Sequence, residues 1–245
     1  MNAAGKVALV TGGSRGIGFA IASTLLERGI HVAITGTREG SVAKAAAELR
    51  SAATSSAAAK RGQVVALAAD VRQPAAVEEM TTEVVRQLGG LDILINNAGV
   101  GVFSSVSDMS VEDWHTVLDT NLTGVFHCCH AALPHLRRRG GGWIINISSL
   151  ASKNPFANAA AYCATKAGLN AFSEALMQEV RQDGIRVAYV LPGSVQTEFG
   201  GHAATGADWK LAPQDVAEVV ADLIAHPSRS LPSRVELRPS RPPKK

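Results

Sequence analysis

Tyr162 and Lys166 stand four residues apart in Ala160–Gln182, a stretch with a strongly helical pattern. That spacing puts both side chains on one face of a helix. A phenol ionises near pH 10 and is a poor acid–base group at neutral pH. A neighbouring ammonium favours the phenolate and is expected to lower that value. A phenol tuned in this way can give its proton to a developing alkoxide. Tyr–Lys pairs also occur on ordinary helices, so spacing alone does not make the pair catalytic. The apolar run Trp143–Ile147 adds context, because it ends in Ser148-Ser149, with Ser149 thirteen residues before Tyr162. A serine at the carboxyl end of a buried strand can hold a substrate oxygen against the tyrosine hydroxyl.

A second group of residues is suited to phosphate. Lys6–Thr11 reads as a strand, Gly12-Gly13-Ser14-Arg15-Gly16-Ile17-Gly18 follows, and a helical pattern then begins. Glycine lets backbone approach an anion closely, and the start of a helix offers free N–H groups. After the next strand the chain reads Thr35-Gly36-Thr37-Arg38, with no acid before Glu39. An acid at this point would suit the ribose hydroxyls of NAD, whereas Thr37, Arg38 and nearby Arg15 suit a phosphate. NADP(H) is therefore expected over NAD(H), against the alternative that Arg38 is an ordinary surface residue. Asp70-Val71 closes the third strand, and Asn96-Asn97-Ala98-Gly99 closes the fourth and can offer amides to a cofactor.

The elements that must position these groups alternate regularly. Seven short Val- and Ile-rich runs, from Lys6–Thr11 to Arg234–Leu237, are separated by amphipathic stretches such as Gly16–Arg28, Ser41–Ser51, Gly124–Arg137 and Pro213–Ala225. Continuous apolar strands joined by helical crossovers predict an α/β fold: one doubly wound Rossmann-type domain over 1–245, with a seven-stranded parallel sheet flanked by helices. Gly29 and Gly184 are expected helix stops and Pro213 an expected first-turn residue. Ala52–Ala59 is expected to be a loose helix end and loop, and the basic, Pro-rich 239–245 a disordered tail.

Composition narrows the class. With 46% hydrophobic and 18% charged residues the chain can build a sizeable core. The net charge of +3 gathers partly in Arg137–Arg139 and in the tail, with no aromatic residues interleaved, so a nucleic-acid partner is not expected. Three cysteines without framework spacing fit a reducing, cytoplasmic setting. No signal segment or membrane span is expected. His127-Cys128-Cys129-His130 is adjacent rather than spaced, so no metal site is expected there. Cys163 is expected to pack in a core or an interface.

The motif T-G-x-x-x-G-x-G at Thr11–Gly18, with Asn96–Gly99, Ser149, Tyr162 and Lys166 in that order, resembles the short-chain dehydrogenase/reductase family. The resemblance spans residues 6 to about 197, and it is similar to the 3-oxoacyl-[acyl-carrier-protein] reductases at the N-terminal end. It implies an oxidoreductase that reduces a small-molecule carbonyl by hydride transfer, with Asn121, Ser149, Tyr162 and Lys166 catalytic. By the family's register Ser149, not Ser148, is the catalytic serine. The resemblance also implies that Asp70 contacts adenine, a helix cap being the equal alternative. It implies that Pro192, Gly193, Val195 and Thr197 hold the nicotinamide end of the cofactor.

Substrate choice would lie after Pro192-Gly193, in a lid at about 194–212 whose apolar contacts are Phe199 and Trp209. Asn154 and Phe156 would add a further wall, and His202 could lie nearby. The segment is shorter than in the carrier-protein reductases, and the last apolar run reads on as Val235-Glu236-Leu237-Arg238-Pro239 in place of their glycine-rich ending, which leaves a broad-range ketoreductase open. Also open are an NAD(P)⁺-dependent alcohol or sugar dehydrogenase and a non-catalytic nucleotide sensor. A homodimer or homotetramer through the helices containing Asn121–His135 and Tyr162–Val180 is implied.

Overall fold

A computed structural model describes residues 3–54, 62–201 and 208–241. Strands β1 (Val7–Val10), β2 (His31–Gly36) and β3 (Val64–Ala68) are followed in turn by helices α1 (Gly16–Glu27), α2 (Glu39–Thr54) and α3 (Pro74–Leu88). Then come β4 (Ile93–Asn96), α4 (Val111–Leu118), α5 (Gly124–Arg138), β5 (Gly142–Ile147), α6 (Ala160–Val180), β6 (Ile185–Pro192), α7 (Pro213–Ala225) and β7 (Arg234–Leu237). The strands form one parallel sheet in the order β3-β2-β1-β4-β5-β6-β7. This is the expected doubly wound arrangement. Strand order reverses between β1 and β4, which opens a crevice at the carboxyl ends of the strands.

Side chains alternate between the two faces of each strand, and both faces are apolar. Val10, Ile34, Ile95 and Ile145 face α1 and α7, where Ile21, Leu25, Val216 and Val220 cover them. Their neighbours Leu9, Ala33, Leu94 and Ile144 face the other layer, covered by Val77 and Val84 of α3, Leu136 of α5, and Leu169 and Val180 of α6. Each such aliphatic side chain contributes about 1.5–3 kcal/mol of burial. The sheet is thus fixed from both sides, and the loops at its carboxyl edge are held on a rigid base.

Local signals explain most element ends. Gly29 and Gly184 adopt φ of +79° and +71° at the expected stops. Pro213 opens α7, and the Asp215 carboxylate accepts from the Ala212 N–H at 2.8 Å. Helix α2 starts two residues earlier than the apolar period predicts. Glu39 in its first turn complements the helix dipole there. The helix reaches Thr54, so the expected loose helix end is partly helical, and the rest of that stretch lies outside the described residues.

Asn121 departs from the expected ordinary helix, because Asp119–Thr123 is a π-helical turn between α4 and α5. At the amino edge of the sheet, Asp92 is buried. It accepts from the Val7 N–H at 2.9 Å and from Arg139 Nε and Nη2 at 3.0 and 3.1 Å, with Lys6 at 3.6 Å. No helix among the described residues is long and apolar enough to cross a membrane.

Candidate active site

The glycine loop is tied to β4 by two residues. The Thr11 hydroxyl accepts from the backbone N–H groups of Asn97 and Ala98, both at 3.0 Å. Asn97 Nδ2 donates in return to the carbonyls of Thr11 at 3.0 Å and Gly12 at 3.1 Å. Gly12 has φ +64°, and a Cβ there would stand 2.9 Å from Ala98 Cα. Gly18 lies behind the wall rather than in it: a Cβ there would meet Asn97 Nδ2 and the Gly12 carbonyl oxygen, both at 2.4 Å. The third glycine of the motif therefore permits the approach of helix to loop. Thr11 carries the opening of the cradle, and its place at the head of the glycine motif is the signal for it.

The cradle opens into a cleft of about 1740 Å³ across the carboxyl ends of the strands. That exceeds the ~300–1,000 Å³ of a pocket for one small ligand and leaves room for a dinucleotide with a substrate beside it. Its floor includes Gly12, Ser14, Arg15, Gly16 and Ile17 from the loop, and Thr37 and Arg38 after β2. Asp70 and Val71 enter after β3, and Asn97, Ala98 and Gly99 after β4. Pro192, Gly193, Val195 and Thr197 close the far side after β6. The N-terminus of α1, two arginines and glycines without side chains suit a phosphorylated dinucleotide.

Two residues there change the expected picture. Arg15 Nη1 lies 3.0 Å from Glu198 Oε2, an ion pair spanning the cleft that the sequence motif gives no reason to expect. Arg72 grips the Asp70 carboxylate, with Nε and Nη2 at 2.9 and 2.6 Å from Oδ2, and holds it below the ordinary carboxylate range. The residue flanking the start of α3 is Gln73, so Asp70 is not its cap. The helix-cap alternative is thereby corrected: the Asp70 carboxylate is held by Arg72 at the edge of the cleft.

The four residues of the expected catalytic set converge from three segments. Ser149 follows β5, its Oγ accepts from the Ala151 N–H at 3.1 Å, and it lines the cleft together with Tyr162. Ser148 turns away and donates to Asn170 Oδ1 at 2.6 Å, which ties β5 to α6. Lys166 is buried, and its Nζ donates to the Ile147 carbonyl at 2.8 Å. Asn121 is fully buried and does not line the cleft. Its Oδ1 accepts from the Val100 N–H at 2.8 Å, and its Nδ2 donates to the Val100 carbonyl at 2.9 Å and to Thr165 Oγ1 at 3.2 Å. The π turn turns this amide onto the loop after β4 and onto α6 at once. Gly124 just beyond it lets α5 approach, since a Cβ there would lie 2.7 Å from Val71.

The family model for short chain dehydrogenase matches residues 6–207. This chain belongs to the short-chain dehydrogenase family. An uncharacterised oxidoreductase of Staphylococcus epidermidis is 33% identical over 234 residues, 96% of this chain and 97% of that protein. One from Staphylococcus aureus is 31% identical over the same shares. Among solved structures, an alcohol dehydrogenase from the archaeon Thermococcus sibiricus complexed with 5-hydroxy-NADP superposes with a TM-score of 0.87. It is 30% identical, and the match covers 98% of this chain and 99% of that one. A metagenomic short-chain oxidoreductase in complex with NADP gives 0.83 at 34% identity, over 99% and 100%.

In this short-chain dehydrogenase the Tyr162 phenol stands in the wall of the cleft. Burial pushes it above its ordinary value, and the Ser149 hydrogen bond pulls against that. Lys166 lies 5.9 Å from the ring centroid, and its Nζ donates to the Ile147 carbonyl. Burial lowers Lys166 itself to about 8. Asn154, Phe156, Phe199 and Trp209 also line the cleft, while His202 lies outside the described residues. Phe103, in the loop after β4, joins them with its ring 5.8 Å from that of Tyr162. No motif marks it, and only its position after Asn96–Gly99 hints at it. Cys163 packs with Ala151 and Ala159 beneath the tyrosine. Cys128 and Cys129 are buried, and burial raises both thiols, Cys129 to about 12. His127 Nδ1 lies 3.0 Å from the Val71 carbonyl.

Proposed function

We propose that this chain is an NADPH-dependent carbonyl reductase with Tyr162 as proton donor. The observation that carries the reading is Ser149 and Tyr162 together in the cleft wall, with buried Lys166 beside the tyrosine ring. A nicotinamide dinucleotide, when bound, supplies the hydride. Gly12, Ser14, Gly16 and Ile17 would hold its pyrophosphate at the start of α1. Thr37, Arg38 and Arg15 would take the 2′-phosphate, and Asp70 with Val71 the adenine. Asn97, Ala98 and Gly99 would face the middle of the cofactor, and Pro192, Gly193, Val195 and Thr197 its carboxamide. Two structural neighbours described with NADP or its 5-hydroxy derivative support this choice.

Ser149 and Tyr162 grip the carbonyl oxygen, and Tyr162 gives its proton as negative charge develops there. Lys166 would hold the cofactor ribose and, with Asn121 and water, return a proton to the tyrosine. The substrate, a 3-oxoacyl or other keto compound, rests on Asn154, Phe156, Phe199 and Trp209; residues 202–207 of the expected lid at about 194–212 lie outside the described residues. The chain acts as one cytoplasmic catalytic domain, paired into a dimer or tetramer through α5 and α6. Phe126 on α5, 51% exposed, supports that pairing; a monomer mass by light scattering at all concentrations would remove it.

The test is loss of NADPH absorbance, with NADH in parallel, against β-ketoacyl thioesters, β-ketoesters, diketones and aldehydes. Faster loss with NADPH is expected. No loss with either cofactor, with binding demonstrated, overturns the reading. The neighbour described as an alcohol dehydrogenase favours a second reading, the same site run in the oxidative direction. It is tested by NADP⁺ reduction with the matching alcohols.

A further inference from the structure

Three of the chain's six phenylalanines meet at one point, and they come from three different loops. Phe103 follows β4, Phe156 follows β5 and Phe199 follows β6. The Phe103 ring stands edge-on to Tyr162 at 5.8 Å and 62°. Phe199 lies 5.5 Å from Tyr162 on a second approach, and Phe156 lies 6.1 Å from Phe103. These rings keep 37%, 54% and 37% of their surface exposed for Phe103, Phe156 and Phe199. Exposed apolar side chains grouped in a concave site mark a binding surface.

The backbone is shaped to admit them. A Cβ on Gly101 would come within 2.7 Å of Phe199 Cε1 and 3.0 Å of Phe103 Cε2, so the glycine leaves the space in which the two rings sit over the loop. The three rings offer no group for a carboxylate or a phosphate. Lys210 stands over Trp209, 6.0 Å from its ring centre.

We infer that the substrate end is an aromatic box for a neutral ketone carrying an aryl group next to the carbonyl. The inference rests on the carbonyl reductase reading and names the substrate class within it. The carbonyl oxygen lies between Ser149 and Tyr162, and the aryl group lies against Phe103, Phe156 and Phe199. Hydride from the reduced cofactor forms the new C–H bond at the carbonyl carbon, and the Tyr162 proton completes the hydroxyl. The products are an aryl carbinol and the oxidised cofactor. Edge-to-face and offset contacts with each ring are expected to favour the aryl ketone about two- to ten-fold per ring.

The test compares acetophenone with 2-butanone and with an acetoacetyl thioester, using NADPH, in the parent, Phe103→Leu and Phe156→Leu. A second measurement follows acetophenone binding to the protein–NADP⁺ complex by tryptophan fluorescence, where no turnover can occur. At least ten-fold higher kcat/KM for acetophenone is expected, with the ratio to 2-butanone falling two- to ten-fold and acetophenone binding weakening in either variant. Phe156→Leu replaces the most exposed ring of the three and guards against a folding defect. Equal turnover of aryl and small aliphatic ketones, preference for the thioester, or a ratio unmoved in both variants overturns the aromatic box and leaves carbonyl reduction standing. No carbonyl reduced, with NADPH bound, overturns both.

Discussion

Lys166 Nζ lies 5.9 Å from the centre of the Tyr162 ring, yet it gives its hydrogen bond to the Ile147 carbonyl at 2.8 Å. The two residues share a face of α6, but the lysine is anchored by the end of β5. One strand end therefore sets the position of the ammonium, while the next residues of the same segment carry Ser149 to the phenol. The geometry of the site is a property of the β5–α6 packing, in which Ser148 and Asn170 form a second tie at 2.6 Å.

Removing the phenol oxygen separates chemistry from binding. Tyr162→Phe keeps the ring and its contacts with Phe103 and Phe199. It is expected to retain NADPH affinity within about two-fold while losing roughly 10²–10⁴ in kcat, the range for a positioned general acid. Fluorescence titration of cofactor and steady-state kinetics on the same preparation check both halves. Turnover comparable to the parent would sink the role of Tyr162.

Lys166 is expected to leave a signature in stability against pH. Burial lowers its folded value to about 8, from 10.5 in an exposed lysine. Between those values the unfolded chain binds more protons than the folded one, so this group makes the fold more stable as pH rises. Below about 8 both states are protonated, and the cost of the buried charge is present in full. In the absence of cofactor, the parent should gain up to about 3 kcal/mol on Lys166→Met between pH 8 and 10.5. Urea denaturation of both proteins across that range measures the gap, and a flat difference would mean that the lysine titrates at its ordinary value.

The fold was legible because buried strands leave an unmistakable pattern: Val7–Val10 and Ile93–Ile95 are apolar without interruption, Ile185–Pro192 is broken only by Arg186, and glycines punctuate the turns between them. The candidate catalytic residues were legible because helical spacing and strand ends fix where side chains point. Side chains whose partners come from distant segments were not. Glu198 meets Arg15 across 183 positions, and Phe103 meets Tyr162 only because two loops close over Gly101. The burial that raises the Tyr162 phenol was also hidden, since local spacing shows the lysine but not the packing around the ring. The π turn at Asn121 likewise depends on α5 packing against Val71 through Gly124.

Cofactor preference should answer to two residues in opposite directions. Arg38→Ala is expected to weaken NADPH binding roughly 10–100-fold, as for a lost charge-assisted contact, with little effect on NADH. Glu198→Gln releases Arg15 from an exposed pair and is expected to tighten NADPH a few-fold, again sparing NADH. Equilibrium titration of both cofactors with each variant decides. Equal losses for NADPH and NADH in Arg38→Ala would remove the arginine from the phosphate site.

Asp92 holds the opposite edge of the sheet, far from the cleft, and should govern acid stability. Burial raises its carboxyl, but the Arg139 hydrogen bonds, the Val7 N–H and the charges of Lys6 and Arg139 outweigh it and leave it lowered. The folded form then gives up its proton at a lower pH than the unfolded chain. The stabilisation is present above the ordinary carboxylate range and is lost as pH falls through the folded value. Asp92→Ala leaves the Val7 N–H and the Arg139 guanidinium without their acceptor. Solvent takes up part of that loss, because Arg139 is 41% exposed. The expected cost is about 2–4 kcal/mol at pH 7, read from urea denaturation midpoints. The difference between the parent and Asp92→Asn should shrink as pH falls from about 5 toward 2, and a difference that stays constant would show that the carboxylate charge contributes nothing at this edge.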